Sequence, residues 1–220
     1  MPVFHHQPDT IAASYLAALM AGDRGSALHV VQAALAEEMP LTDLYQEVLQ
    51  LTLYEIGHMW ECGQLAVANE HVATAITHSV MEYCARIIPP IPEGPVTIIA
   101  TSVGHELHDI GLRMVTDCLE LDGWNTLYLG SNTPLNDVVA LAVQHRVAVV
   151  AVSITMSSYA RDVRDLITAL RQSALGAGVQ ILAGGQPFNR IPNLWRQIEA
   201  DGTAADLTGA TAWVRAHVPR

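Results

Sequence analysis

Through about residue 88 the apolar positions of the chain recur at intervals of three and four, the spacing that lays them along one side of an α-helix. Ile11, Tyr15, Leu16 and Leu19 make one such stripe, and Leu28, Val31 and Leu35 a second. Ala21-Gly22-Asp23 parts these two, with Asp23 placed to cap the second, and Pro40-Leu41-Thr42 precedes a third helix expected from about Thr42 to Trp60. After the turn Cys62-Gly63-Gln64 a fourth pattern runs from about Ala66 to Ile88. Four amphipathic helices joined by short loops bury their stripes against one another, so residues 1–88 are predicted to form a four-helix bundle. The run Ile88-Pro89-Pro90-Ile91-Pro92-Glu93-Gly94-Pro95 interrupts helix and ladder alike, because proline lacks an N–H and fixes φ. Residues 89–95 are the predicted linker.

Beyond the linker the pattern changes to short β-branched runs that alternate with amphipathic stretches. Strands are expected at Val96–Ala100, Asn125–Leu129, Val147–Ile154 and Val179–Ala183, with a short edge strand near Ala205–Leu207. Helices are expected at Ile110–Leu121, Leu135–His145, Arg161–Ser173, Leu194–Glu199 and Gly209–Val218. Regular alternation of this kind requires right-handed crossovers and a parallel sheet covered on both faces. Residues 96–220 therefore read as an α/β domain of the doubly wound, Rossmann- or flavodoxin-like class, whose ligands sit at the carboxyl ends of the strands.

Composition removes several chemistries. All 11 basic residues are Arg, so a lysine Schiff base, a lysine nucleophile and a phosphate loop ending in G-K-[ST] are excluded. The formal charge is −11, and residues 1–95 carry 11 acids against Arg24 and Arg86 alone, which disfavours direct binding of nucleic acid. Cys62, Cys84 and Cys118 are widely spaced and form no C-x-x-C, which fits idle thiols in a reducing compartment better than a zinc ribbon or a dithiol redox site. No leader-like segment and no membrane-length apolar run is present, and a cytoplasmic protein is expected.

The loop after the first strand of the α/β half reads Thr101-Ser102-Val103-Gly104-His105-Glu106-Leu107-His108-Asp109-Ile110-Gly111. It holds no G-x-G-x-x-G, so a dinucleotide is not indicated. It places an imidazole between carboxylates at the mouth of the sheet. An imidazole there can ligate a transition metal while a nearby carboxylate takes its other N–H, and the same residues can equally serve as a polar, helix-capping loop.

Glu106-x-His108-x-x-Gly111, Ser153-x-Thr155 at the end of the third strand and Gly184-Gly185 at the end of the fourth resemble the cobalamin-binding signature D-x-H-x-x-G, S-x-L, G-G. Glu106 stands where that family has Asp, and Thr155 where it has Leu. The resemblance implies His108 as the lower axial ligand of cobalt in place of the cofactor's own base, with Glu106 as its hydrogen-bond partner and Asp109 beside it. It implies Ser153 as the contact to the inserted base, and Gly111, Thr155, Gly184 and Gly185 as lining of the slot that takes the tail.

In the helical half, Trp60 is followed after nine residues by Glu70-His71. Taken alone, this is a tryptophan at a helix end and a polar pair early in the next helix, with Glu70 also suited to the helix dipole. Together with the second half it resembles the cap of adenosylcobalamin-dependent light sensors. That resemblance implies Trp60 against the adenosyl group and Glu70 and His71 over the upper face of the corrin. In some of those sensors a His directly after the Trp takes the upper cobalt position after light; Glu61 stands there here, which leaves His71, then His58 and His78, as candidates. His5, His6, His29, His145 and His217 read as surface residues.

The function these features imply is an adenosylcobalamin light sensor in which loss of the upper ligand changes the bundle surface. With no DNA-reading segment in the chain, its output is expected through a homo-oligomer or a separate effector, such as a transcriptional regulator with a basic surface. Some relatives in that family hold a bilin as a second chromophore. The alternative is a corrinoid methyl carrier serving a methyltransferase. A mutase subunit is disfavoured, since no substrate-binding barrel is encoded. In none of these readings is the chain itself the enzyme.

Overall fold

The computed structural model describes residues 8–90, 94–95 and 97–219. His5 and His6, the linker residues Ile91, Pro92 and Glu93, and Val96 lie outside the described residues. The chain divides into two compact units, Met1–Ile88 and Pro89–Arg220.

The first unit is helical: α1 (Pro8–Met20), α2 (Arg24–Ala36), α3 and α4 (Val67–Cys84). The α3 helix is continuous but not uniform, with an α-turn at Leu41–Asp43, a π-helical segment at Leu44–Gln50 and regular α-helix at Leu51–Glu61. Asp23 caps α2 as expected, its carboxylate accepting from the Ser26 N–H at 3.0 Å and the Ser26 hydroxyl at 2.7 Å. Tyr15, Val31, Leu44, Tyr45, Val48, Leu49, Ile56, Val80 and Met81 are buried and form the core. Two polar groups enter it as a pair. Tyr15 Oη donates to Thr77 Oγ1 at 3.1 Å, and Thr77 donates to the Ala73 carbonyl one turn back, so burial leaves neither hydroxyl unsatisfied.

The second unit is a five-stranded parallel sheet in the order β2-β1-β3-β4-β5, built from β1 (Ile98–Thr101), β2 (Thr126–Gly130), β3 (Val149–Ser153), β4 (Gln180–Gly184) and β5 (Gly202–Ala204). Between the strands run α5 (Ile110–Leu121), α6 (Leu135–His145) and α7 (Ala160–Gln172). Two short helices, α8 (Gln186–Arg190) and α9 (Leu194–Gln197), precede β5, and α10 (Leu207–His217) follows it. Successive residues of β3 serve opposite faces. Val150 and Val152 join Val138 and Ala142 of α6 and Val163, Leu166, Ile167 and Leu170 of α7. Val149 and Ala151 join Leu112 and Leu119 of α5 and Ala210 and Val214 of α10. A strand with helices on both faces has no solvent side, which is why β3 reads as an unbroken apolar run.

Two features differ from the sequence expectation. The edge strand lies at Gly202–Ala204, not Ala205–Leu207, because Asp206 caps α10 through the Gly209 N–H and so places Leu207 in the helix. Helix α8, with Pro187 in its first turn, falls in a stretch for which the sequence pattern predicts no element. Strand order reverses between β1 and β3, so the loops after these two strands diverge and open a crevice at their carboxyl ends.

Candidate functional site

The loop from Ser102 to Asp109 leaves β1 at this crevice, and its centre is Glu106, a carboxylate with no solvent exposure. Oε1 of Glu106 accepts from the backbone N–H of His108 at 3.0 Å and lies 2.5 Å from His108 Nδ1. Oε2 accepts from the N–H of Thr155 at 2.5 Å and that of Met156 at 3.3 Å, both in the loop after β3. The Glu106 carbonyl accepts from the Asn132 N–H in the loop after β2. One buried residue thus joins the loops that follow three adjacent strands.

Burial pulls the Glu106 carboxyl upward, but the hydrogen bonds from the His108 ring and from the Thr155 and His108 N–H groups outweigh it and hold the group down at about 2. A carboxylate that remains ionised can only accept, so Nδ1 of His108 must be the donor. In the neutral imidazole the lone pair is then on Nε2, the form a metal ligand requires. The His108 side chain is 61% exposed, so the ring stands out of the crevice on a fully buried base.

The glycines occupy different environments. Gly185 has φ of +103°, and a Cβ there would sit 2.0 Å from the Ile154 carbonyl oxygen, so the chain can turn after β4 only with glycine. At Gly111 and Gly184 an added Cβ would meet nothing within 4 Å. Ser153 pairs in register with Gly184 at the ends of β3 and β4. Thr155 enters the site through its backbone N–H, which Glu106 takes up. A cleft of about 320 Å³ lies on another side of the loop, lined by Val103, Gly104, Asn132, Leu135, Asp162 and Asp165 among others, and includes neither His108 nor Ser153.

Four residues of this neighbourhood were not singled out from the sequence. Besides Met156, these are Tyr128, whose hydroxyl donates to Asp109 Oδ2 at 3.0 Å, Arg113, whose guanidinium lies 5.3 Å from the Tyr128 ring centroid, and the fully buried Asp117, which pairs with Arg113 at 2.7 Å. Burial and the Asp109 carboxylate raise the Tyr128 phenol above its ordinary value, which keeps it a donor.

In the helical unit, Trp60 lies in the last turn of α3 and is 48% exposed. The helix ends in a Schellman pattern, with the Gln64 N–H bonded to the Met59 carbonyl, the Gly63 N–H to the Trp60 carbonyl and Gly63 at φ +69°. Glu70 opens α4, its Oε1 accepting from Thr74 Oγ1 at 2.9 Å, and its Oε2 is 3.6 Å from Nε2 of the exposed His71. Trp60 and the Glu70-His71 pair therefore flank one short turn. His58 lies four residues before Cys62, with Nε2 3.7 Å from its sulfur, while His78 is half-buried on α4.

The residues present fit a corrinoid on two counts: an imidazole whose tautomer presents Nε2, and open space beside Gly111 and Gly184. Comparison with known proteins agrees. A family model described as a B12 binding domain matches residues 96–211, and a second of the same description matches residues 11–85. Dimethylamine corrinoid protein 3 of Methanosarcina acetivorans is 24% identical over 187 residues, covering 84% of this chain and 86% of that one. The HTH-type transcriptional repressor CarH of Myxococcus xanthus is 30% identical over 181 residues, covering 80% of this chain but 58% of the repressor. Among solved structures, that of the Methanosarcina barkeri monomethylamine corrinoid protein superposes with a TM-score of 0.82 at 22% identity, over 94% of this chain and 97% of that one, a likeness of fold. With residues 96–211, more than half its length, matched by the family model, this chain is a member of the B12-binding domain family.

Proposed function

We propose that the chain is a corrinoid carrier in which residues 96–220 would hold cobalamin through His108, with residues 1–88 forming a separate helical unit and 89–95 linking the two. The observation that carries the reading is the buried Glu106, which fixes the His108 tautomer and ties it to the Thr155 and Met156 N–H groups. When bound, the cofactor supplies a cobalt centre able to hold and release an alkyl group. The chain's own residues bind and orient it. Glu106 keeps the proton of the imidazole on Nδ1, Ser153 would contact the cofactor's base, Gly111 and Gly184 would leave room for its tail, and Gly185 allows the backbone to turn after β4. The chain itself is not the catalyst. Its partner in this reading is a methyltransferase, as befits relatives named for dimethylamine and monomethylamine.

A second reading, an adenosylcobalamin light sensor, is favoured by one feature: half-exposed Trp60 across a short turn from Glu70 and His71, the pattern that resembles the cap of such sensors. Its output would pass to a homo-oligomer or to a separate effector such as a transcriptional regulator.

The test is reconstitution of the purified protein with hydroxocobalamin, methylcobalamin and adenosylcobalamin, followed by absorption spectra and size-exclusion elution in darkness and after green light. Retention with imidazole ligation in the wild type, lost in His108→Ala, is expected, and an unchanged spectrum in that variant would overturn the assignment of the lower ligand. A carrier should take methylcobalamin at least as well as adenosylcobalamin and elute identically in dark and light. A sensor should prefer adenosylcobalamin and change its elution or partner binding once the upper ligand is photolysed, and a bilin would add a separate red-absorbing band.

A further inference from the structure

Asp109 occupies the N-cap position of α5, immediately after His108, yet its side chain makes no capping hydrogen bond. An aspartate in that position ordinarily accepts from an N–H of the first turn. Here Oδ2 accepts instead from Tyr128 Oη on β2. The backbone of the same residue is also held, since the Asp109 carbonyl accepts from the Arg113 N–H at 2.8 Å. Arg113 in turn lies over the Tyr128 ring, with its Nε 2.7 Å from Oδ1 of fully buried Asp117. Asp117, Arg113, Tyr128 and Asp109 thus form a run of contacts, an ion pair, a guanidinium over a ring and a hydrogen bond, that starts in the buried face of α5 and ends one residue from the imidazole.

His108 is therefore flanked by two anchors of different origin. On its amino side Glu106 ties the loop to residues 155 and 156 after β3. On its carboxyl side Asp109 ties it to β2. An exposed ring on a loop pinned at one end only would sweep an arc; pinned at both ends it keeps its direction.

We propose that Tyr128 is a positioning residue for His108, acting through Asp109 to hold the imidazole where it can remain on the metal. This deepens the reading of His108 as lower ligand and rests on it. The Tyr128 hydroxyl is not itself a ligand and acts only through Asp109. It restricts the swing of the loop, so its loss changes how much of the bound cofactor carries the protein's imidazole.

The full chain, labelled with ¹⁵N-histidine, is loaded with hydroxocobalamin and reduced by one electron, and the hyperfine pattern of its electron paramagnetic resonance is recorded. A ¹⁵N doublet reports the protein's imidazole and a ¹⁴N triplet the cofactor's own base. The wild type should show the doublet alone. Tyr128→Phe keeps the ring under Arg113 and deletes one oxygen, and should lower the His-ligated fraction at least about twofold. Asp109→Asn, whose amide oxygen can still accept from Tyr128, should retain more of the doublet than Asp109→Ala. Adding Tyr128→Phe to Asp109→Ala should cost nothing further, since the two share one hydrogen bond. A merely structural role for Tyr128 would lower the thermal midpoint and leave the hyperfine pattern unchanged, and that result overturns the proposal. Should Tyr128→Phe fail to retain the cofactor, the Asp109 pair decides, equal doublets in Asn and Ala counting against. Absence of the doublet in the wild type itself would overturn the assignment of His108 as ligand and the role of Tyr128 together.

Discussion

The two units present their candidate groups in opposite ways. In the sheet unit the key carboxylate is fully buried, takes four hydrogen bonds, and holds an imidazole that points outward from a rigid base. In the helical unit Trp60 is half exposed, His71 is exposed, and Glu70 accepts from Thr74 of its own helix and lies 3.6 Å from its neighbour His71. Charge divides the same way: 11 acids face two Arg in residues 1–95, whereas 11 acids face nine Arg in residues 96–220. A site of buried, mutually bonded groups is preorganised for whatever it ligates.

This contrast can be broken most severely at Gly185. Gly185→Ala puts a methyl group 2.0 Å from the Ile154 carbonyl at a φ of +103°. A loss of roughly 3 kcal/mol is expected from such strain, with the thermal midpoint of the apoprotein falling by roughly 6–12 °C. Calorimetry or circular dichroism would measure it, and a midpoint within about 2 °C of the wild type would show that the turn after β4 is not constrained as described.

Next in size is the removal of the buried carboxylate. Glu106→Gln should weaken cobalamin retention on the order of tenfold, the low end for loss of a ligand's hydrogen-bond partner, because an amide can accept through one atom only. The same variant tests the acid limb of apoprotein stability. Glu106 is held near 2 when folded against an ordinary value of 4.5. Its stabilisation is therefore fully present above about 4.5 and is lost as the pH falls toward about 2. Wild-type stability should drop through that interval more steeply than that of Glu106→Gln, as followed by urea unfolding at a series of pH values, and parallel curves would contradict the hydrogen-bond assignment.

The smallest effect on the fold is expected from the cap. Trp60→Ala removes a half-exposed ring, so the thermal midpoint of the apoprotein should move by less than about 3 °C, and the His108-dependent spectrum should persist. If the bundle reads the upper ligand, affinity for adenosylcobalamin should fall by more than that for methylcobalamin in side-by-side titrations. Equal losses would make Trp60 an ordinary packing residue. Glu70→Ala and His71→Ala should likewise leave the lower ligand untouched.

Much of this architecture was legible because it depends on local pattern. The periods of Ile110–Leu121 and Leu135–His145 set the bounds of α5 and α6, and the β-branched runs marked the strands of a sheet buried on both faces. The π-helical segment at Leu44–Gln50 was not legible, since its spacing lies too close to the α-helical period to be separated over seven residues. The edge strand was misplaced by three residues because Asp206 reads equally as a strand-end residue and as a helix cap, and only the Gly209 N–H shows which it is.

The site divides along the same line. Glu106 and His108 are two residues apart, and chemistry that works at that separation is written directly into the chain. What holds them there is not. The Thr155 and Met156 N–H groups lie 49 and 50 residues from Glu106, and Tyr128 lies 19 from Asp109. A backbone N–H leaves no mark in a residue's identity, and a tyrosine on an alternating strand looks like any other partly buried aromatic. The sequence by itself placed imidazoles and carboxylates together in one loop, and its resemblance to the cobalamin-binding signature singled out Glu106 and His108 as the pair. Only the crossing of three strand ends at the switch point of the sheet decided that the carboxylate is buried, ionised and fixed, because hydrogen bonds between distant segments exist only once the strands are in register.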